Sequence, residues 1–239
     1  MSGHSKWSTI KRAKGKTDAQ RGKVFTKIGR EIAVAVKLGG GDPNTNSKLA
    51  DIIAKARQNN MPSDNITRSI KKASGEVGGI NYEEVMYEGY GVGGSAVMVQ
   101  CLTDNKNRTA GDVRHLFDKL GAGLGTTNSV GYLFEKKGVL VVEKTENSDE
   151  DAIMEMALEA GASDMVTGED DIEIYTSLND YNSVKKSLES KGMQFVSTSI
   201  EYVPNMKIDL DDEMYEKFER LIDELNELDD VQNVYHNVN

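Results

Sequence analysis

The sequence predicts an α+β multidomain protein in which an N-terminal three-helix bundle precedes two ferredoxin-like α+β domains, the second inserted into the first. Three observations predict it. Apolar residues recur at helical spacing up to the glycine-rich break from Gly75 to Gly79 and at period two beyond it, where β-branched and aromatic residues become frequent. The segments between 138 and 203 follow the order βαββαβ. The last helix and strand cannot bury their apolar sides alone, and a ββαβ unit begun near residue 80 offers them a sheet to complete. The expected divisions are a basic helical domain over 1–78, a middle α+β domain from 79–134 plus 205–239, and an inserted domain over 135–204.

Residues 1–17, MSGHSKWSTIKRAKGKT, carry five cations, no acid and few large apolar side chains, too little apolar surface to offset the entropy of ordering. They read as a mobile basic arm. From Asp18 to Leu38, Val24, Phe25, Ile28, Ile32, Ala35 and Val36 share one helical face, and Gly39 to Gly41 follow as a stop signal. A second helix spans about Asn46 to Asn60, with Leu49, Ile52, Ile53 and Ala56 inward, and ends at Met61-Pro62. Ser63 or Asp64 is expected to cap a third, with Ile66, Ile70 and Ala73 inward.

Beyond the break, Val85 to Tyr90 and Ser95 to Thr103 read as a hairpin across Gly91, Gly93 and Gly94, followed by a helix from Asn107 to Leu120 and a strand around Val130 to Phe134. Then come strand 138–143, helix 149–160, strands 164–167 and 172–176, helix 180–190 and strand 194–203. Met214, Phe218, Leu221, Leu225 and Leu228 mark a final amphipathic helix before a strand from Val231 to Tyr235.

The net charge of −10 conceals a split. Residues 1–75 hold 16 Lys and Arg against 5 Asp and Glu, a net of +11, while the remainder holds 13 against 34, a net of −21. Such asymmetry points to a polyanion partner for the basic part. Lys6, Lys11, Arg12, Lys14 and Lys16 lie in the arm, with Trp7, the only tryptophan, among them as a group to stack on a base or to bury against the bundle. Lys23, Lys27, Arg30 and Lys37 fall within about 80° of one another on the polar side of the first helix. Arg68, Lys71 and Lys72 add cations on the third. Each phosphate neutralised releases counterions, which gives affinity that depends on salt and not on base sequence.

Other chemistry is poorly supported. The run from Gly89 to Gly94 joins two strands and does not open a helix, so it reads as a hairpin and not as a phosphate loop. Cys101 sits in the apolar run SAVMVQCL as a small hydrophobe, and one cysteine makes no internal disulfide. His4, His115 and His236 are dispersed, and no metal-ligand or nucleophile pattern surrounds them. The acids from Asp209 to Asp230 read as a solvated helix face. Asn105, Lys106, Asn107 and Arg108, at a helix start, offer a secondary anion contact or an ordinary capped turn. The expectation is a non-enzyme with no cofactor, metal or small-molecule substrate. No apolar run approaches the roughly 18 residues of a membrane span, and no secretory signal is seen, so a cytoplasmic location is expected.

The strings GHSKWSTIKRAKGKTDAQRGKVFTKIGREIAVAVKLGGGDP, NMPSDNITRSIKKASGE, TDNKNRT and LDDVQNVYHN resemble the YebC/PmpR family along essentially the whole chain. The resemblance implies a three-domain cytoplasmic protein, a helical domain followed by two α+β domains, described as a probable transcriptional regulator that binds DNA. Another branch implies a role in translation, as mitochondrial activators and as bacterial factors that help ribosomes at proline-rich stretches. Two partners for the basic domain therefore stay open, promoter DNA and ribosomal RNA on the ribosome. A third reading is a protein-interaction module whose acidic α+β domains engage a basic protein.

Overall fold

The computed structural model describes residues 18–75, 81–120, 123–146 and 148–239. The arm, with Lys6, Trp7, Lys11, Arg12, Lys14 and Lys16, lies outside the described residues. Among those described, two compact units appear, one from 18–131 with 210–236 and one from 132–209 with 237–239.

The first unit opens with three helices, α1 (Asp18–Gly39), α2 (Ser47–Gln58) and α3 (Ser63–Ser74). Ile28, Ile32, Ala35 and Val36 of α1 form one core with Leu49, Ile52, Ile53 and Ala56 of α2, Met61, and Ile66 of α3. Asn46 ties the first two helices together. Its Oδ1 accepts from Leu49 N at 3.1 Å to cap α2, and its Nδ2 donates to Ala35 O and Gly40 O at 2.9 and 2.8 Å, satisfying carbonyls at the end of α1. The expected cap on α3 is different. Pro62 occupies the capping position and no side chain caps the helix; the Pro62 carbonyl instead receives the Asn65 and Ile66 amides.

The sheet of this unit contains β1 (Glu83–Tyr90), β2 (Ala96–Thr103), β3 (Gly123–Leu124) and β8 (Val231–His236) in the order β3-β1-β2-β8, all antiparallel. Helix α4 (Lys106–Lys119) and helix α7 (Asp212–Glu227) contribute Val113, Leu116, Phe117, Phe218, Leu221 and Leu225 to its buried interior, and β2 is buried along nearly its whole length. The turn between β1 and β2 is the expected hairpin, with Gly93 and Gly94 at φ +65° and +77°, which glycine adopts without strain.

The strand expected around Val130 to Phe134 does not form. The buried Glu88 carboxylate accepts the backbone N–H groups of Asn128, Val130 and Gly131 at 2.9, 3.0 and 2.7 Å, so those amides serve a side chain and no ladder. Phe134 instead opens a ten-residue strand of the second unit.

The second unit holds β4 (Phe134–Glu143), α5 (Glu150–Ala160), β5 (Asp164–Thr167), β6 (Asp171–Thr176), α6 (Tyr181–Ser190) and β7 (Ser197–Pro204). The order β5-β6-β4-β7, with every ladder antiparallel, is the ferredoxin-like arrangement of a βαββαβ chain. Leu140, Ile172 and Ile174 pack on Ala157 of α5 and on Val184 and Leu188 of α6.

Candidate nucleic-acid interface

The candidate cations on α1 and on α3 have different surroundings. The stripe on α1 does not face open solvent alone; it lies along the end of α7 and the turn into β8. Lys23 pairs with the Glu227 carboxylate, Lys27 Nζ donates to Asn226 O at 2.8 Å, and Lys37 donates to Asn81 Oδ1. Helix α7 has no basic residue in its own last turn, where free carbonyls and the negative end of the helix dipole collect. Lys23 and Lys27 supply that charge from another helix.

Arg30 goes deeper. One guanidinium nitrogen donates to Leu102 O at 2.9 Å and pairs with Asp230, and the group lies 5.3 Å from the centroid of the Tyr82 ring. Asp230 also accepts from Thr103 Oγ1 at 3.1 Å, Arg108 Nη2 at 2.8 Å and Thr109 Oγ1 at 2.6 Å. Burial pushes its carboxyl up, but the hydrogen bonds from Thr109, Arg108 and Arg30 outweigh that and hold its pKa at about 2. The last residue of the acidic run is thus not part of a solvated face.

This arrangement also fixes what lies at the start of α4. Asn105 is the helix cap, accepting from Arg108 N at 3.1 Å; Lys106 pairs with Glu83 at 2.6 Å; Arg108 reaches Asp104 and Asp230; Asn107 is exposed. The anion that meets Arg108 is the chain's own carboxylate. Cys101, beneath this cluster, is fully buried, and burial together with Asp230 pushes its thiol up to about 12, so almost no thiolate exists at neutral pH.

The second group is open. Arg68, Lys71 and Lys72 are exposed on α3, with no ion-pair or hydrogen-bond partner for their side chains among the described residues. Arg68 and Lys72 border a groove of about 650 Å³ between α1 and α3, whose wall includes Arg30, Lys37 and Tyr82. Phe25, Gly29, Ala33, Met61 and Ala73 are the apolar or small residues of its lining. Asn65 and Ser69 are the polar uncharged groups that α3 adds. Among the described residues no carboxylate lines it. Tyr82 was not a candidate from the sequence, and nothing local marks it, since its place beside Arg30 follows from the packing of the helices on the sheet.

Two family models cover the described fold. One, for the TACO1/YebC protein N-terminal domain, matches residues 5–76, and one, for the TACO1/YebC second and third domain, matches residues 82–238. A probable transcriptional regulatory protein of Acetivibrio thermocellus is 56% identical over 238 residues, covering 99% of this chain and 98% of the relative. One of Thermoanaerobacter pseudethanolicus, also named a probable transcriptional regulatory protein, is 52% identical over 238 residues, covering 100% of this chain and 97% of the relative. The crystal structure of a conserved hypothetical protein from Aquifex aeolicus is similar with a TM-score of 0.85 at 45% identity, over 94% of this chain and 92% of that one. No helix among the described residues is long and apolar enough to cross a membrane.

Proposed function

This chain belongs to the TACO1/YebC family, and on that footing we propose that it is a non-enzymatic regulator of gene expression whose basic N-terminal domain holds nucleic acid. The observation that carries the reading is the open cationic face of α3, where Arg68, Lys71 and Lys72 stand exposed and unpartnered among the described residues. Lys6, Lys11, Arg12, Lys14 and Lys16 of the arm extend the same positive region in sequence. The naming of relatives as probable transcriptional regulatory proteins supports promoter DNA as the polymer. Among the described residues no helix, however, presents an Asn or Gln pair suited to reading base edges in a major groove, so binding governed by phosphate fits better than sequence readout.

The pairing of Lys23, Lys27 and Arg30 with the α7–β8 end narrows the interface. Their charges already have acceptors, so the exposed cations of α3 are better placed for phosphate contacts. Crosslinking in cells followed by sequencing of the bound DNA and RNA tests the proposal. Enrichment of promoter fragments, or of ribosomal RNA, that disappears in R68E/K71E/K72E is the expected result. Full recovery of nucleic acid by that variant, or none by the natural chain, overturns it.

A further inference from the structure

We propose that the groove between α1 and α3 is a base-binding slot, and that the basic domain therefore holds an unpaired strand in preference to a duplex. The inference rests on the reading that this domain binds nucleic acid and names the form of polymer that it takes.

Four features of the groove converge on a nucleotide. Its volume, about 650 Å³, is in the range of small-ligand pockets, large enough for one base with its sugar. Its lining combines apolar groups at Phe25 and Met61, an aromatic ring at Tyr82, and the exposed cations Arg68 and Lys72. A flat, apolar-faced group with a phosphate attached suits that combination. The amide of Asn65 and the hydroxyl of Ser69 offer donors and acceptors for a base edge. Finally, Gly29 leaves the α1 side of the slot without a side chain; a Cβ there would meet only the Ser69 hydroxyl, at 3.7 Å.

The geometry selects against a duplex for a simple reason. Bases in a duplex are stacked and paired, and only an unstacked base enters a concave slot. A duplex would meet the domain through its phosphates alone, and on α1 Lys23, Lys27 and Arg30 are already engaged by Glu227, Asn226 and Asp230. The rim cations that remain open sit where the backbone of a strand would pass once its base is inserted.

The test uses the full chain, first unaltered and then as two single variants. Fluorescence anisotropy is measured with a labelled twelve-nucleotide RNA, the same strand annealed to its complement, and an abasic strand of equal length and charge. The slot predicts that the abasic strand and the duplex bind at least about ten-fold more weakly than the RNA, as loss of a stacked base requires. G29L, which fills the slot, should lower RNA binding to the level of the abasic strand, while G22L, on the same helix with open space around its Cβ, should not. If the abasic strand binds as well as the RNA, the contact is with phosphate alone and the slot is refuted while the nucleic-acid reading stands. Tighter binding of the duplex has the same consequence. Binding of none of the three overturns both.

Discussion

Asp230 is a carboxylate that folding has removed from water and surrounded with donors from Arg30, Thr103, Arg108 and Thr109. Because its folded-state pKa of about 2 lies below the ordinary aspartate value, its contribution to stability is complete at neutral pH and is lost as the pH falls from about 4 through 2. D230N leaves the half-buried Arg30 beside a neutral amide and should cost roughly 3 kcal/mol, read as a lower urea midpoint at pH 7. The loss should shrink below pH 3, where the natural carboxyl also begins to protonate. Two glycines make an opposite pair. A Cβ at Gly89 would lie 2.6 Å from Gly123 O and 2.7 Å from the Phe117 ring, so G89A should destabilise by about 1 to 3 kcal/mol. Gly111, inside α4 with nothing within 4 Å of its Cβ, gains helix propensity, and G111A should stabilise by about 0.5 to 1 kcal/mol. Thermal melting of the two variants distinguishes them by sign.

At the scale of elements, α1 serves two partners on opposite sides: its apolar face closes the helical core and its cationic face clasps the end of α7. Arg30 is the deepest link in that clasp, so R30A should raise hydrogen exchange over Asp18–Gly39 and around Leu102 by about ten-fold, with the β4–β6 ladder unchanged. The two faces differ in how far the sequence revealed them. Val24, Ile28, Ile32 and Val36 announce a buried face because helical periodicity is local, and the strands of the second unit follow from alternation for the same reason. Lys23, Lys27 and Arg30 announce a charged face, but the Glu227 and Asp230 that meet them lie about two hundred residues away, beyond the reach of any local pattern. The misread strand at Val130 to Phe134 has a similar origin: β-type residues are present, but a carboxylate forty residues earlier takes their amides. Charge reversal at Lys23, Lys27 and Arg30 would set acids against Glu227 and Asp230 and disturb folding as well as binding, which makes α3 the better place to probe the interface.

Over the whole molecule the charge is segregated, +11 in the first 75 residues and −21 in the rest, and the paired α1 stripe shows that part of this opposition is satisfied within the fold. What remains for a polyanion among the described residues includes the unpaired cations of α3 and, on α2, Lys48 and Arg57. Acids elsewhere repel phosphate and confine a bound strand to the basic end. The Tyr82 groove, bordered by two of the three open α3 cations, would then be read as part of one surface with the rim. Association should therefore weaken steeply with salt, each open cation contributing about 0.7 to 0.9 to the log–log slope. Measurement of that slope for the full chain and for R68A/K71A/K72A, with RNA or DNA from 50 to 300 mM salt, tests the central claim most directly. A slope shallower by roughly 2 to 3 in the variant, with an unchanged melting temperature, is the result that this account predicts; equal slopes and equal affinities would contradict it.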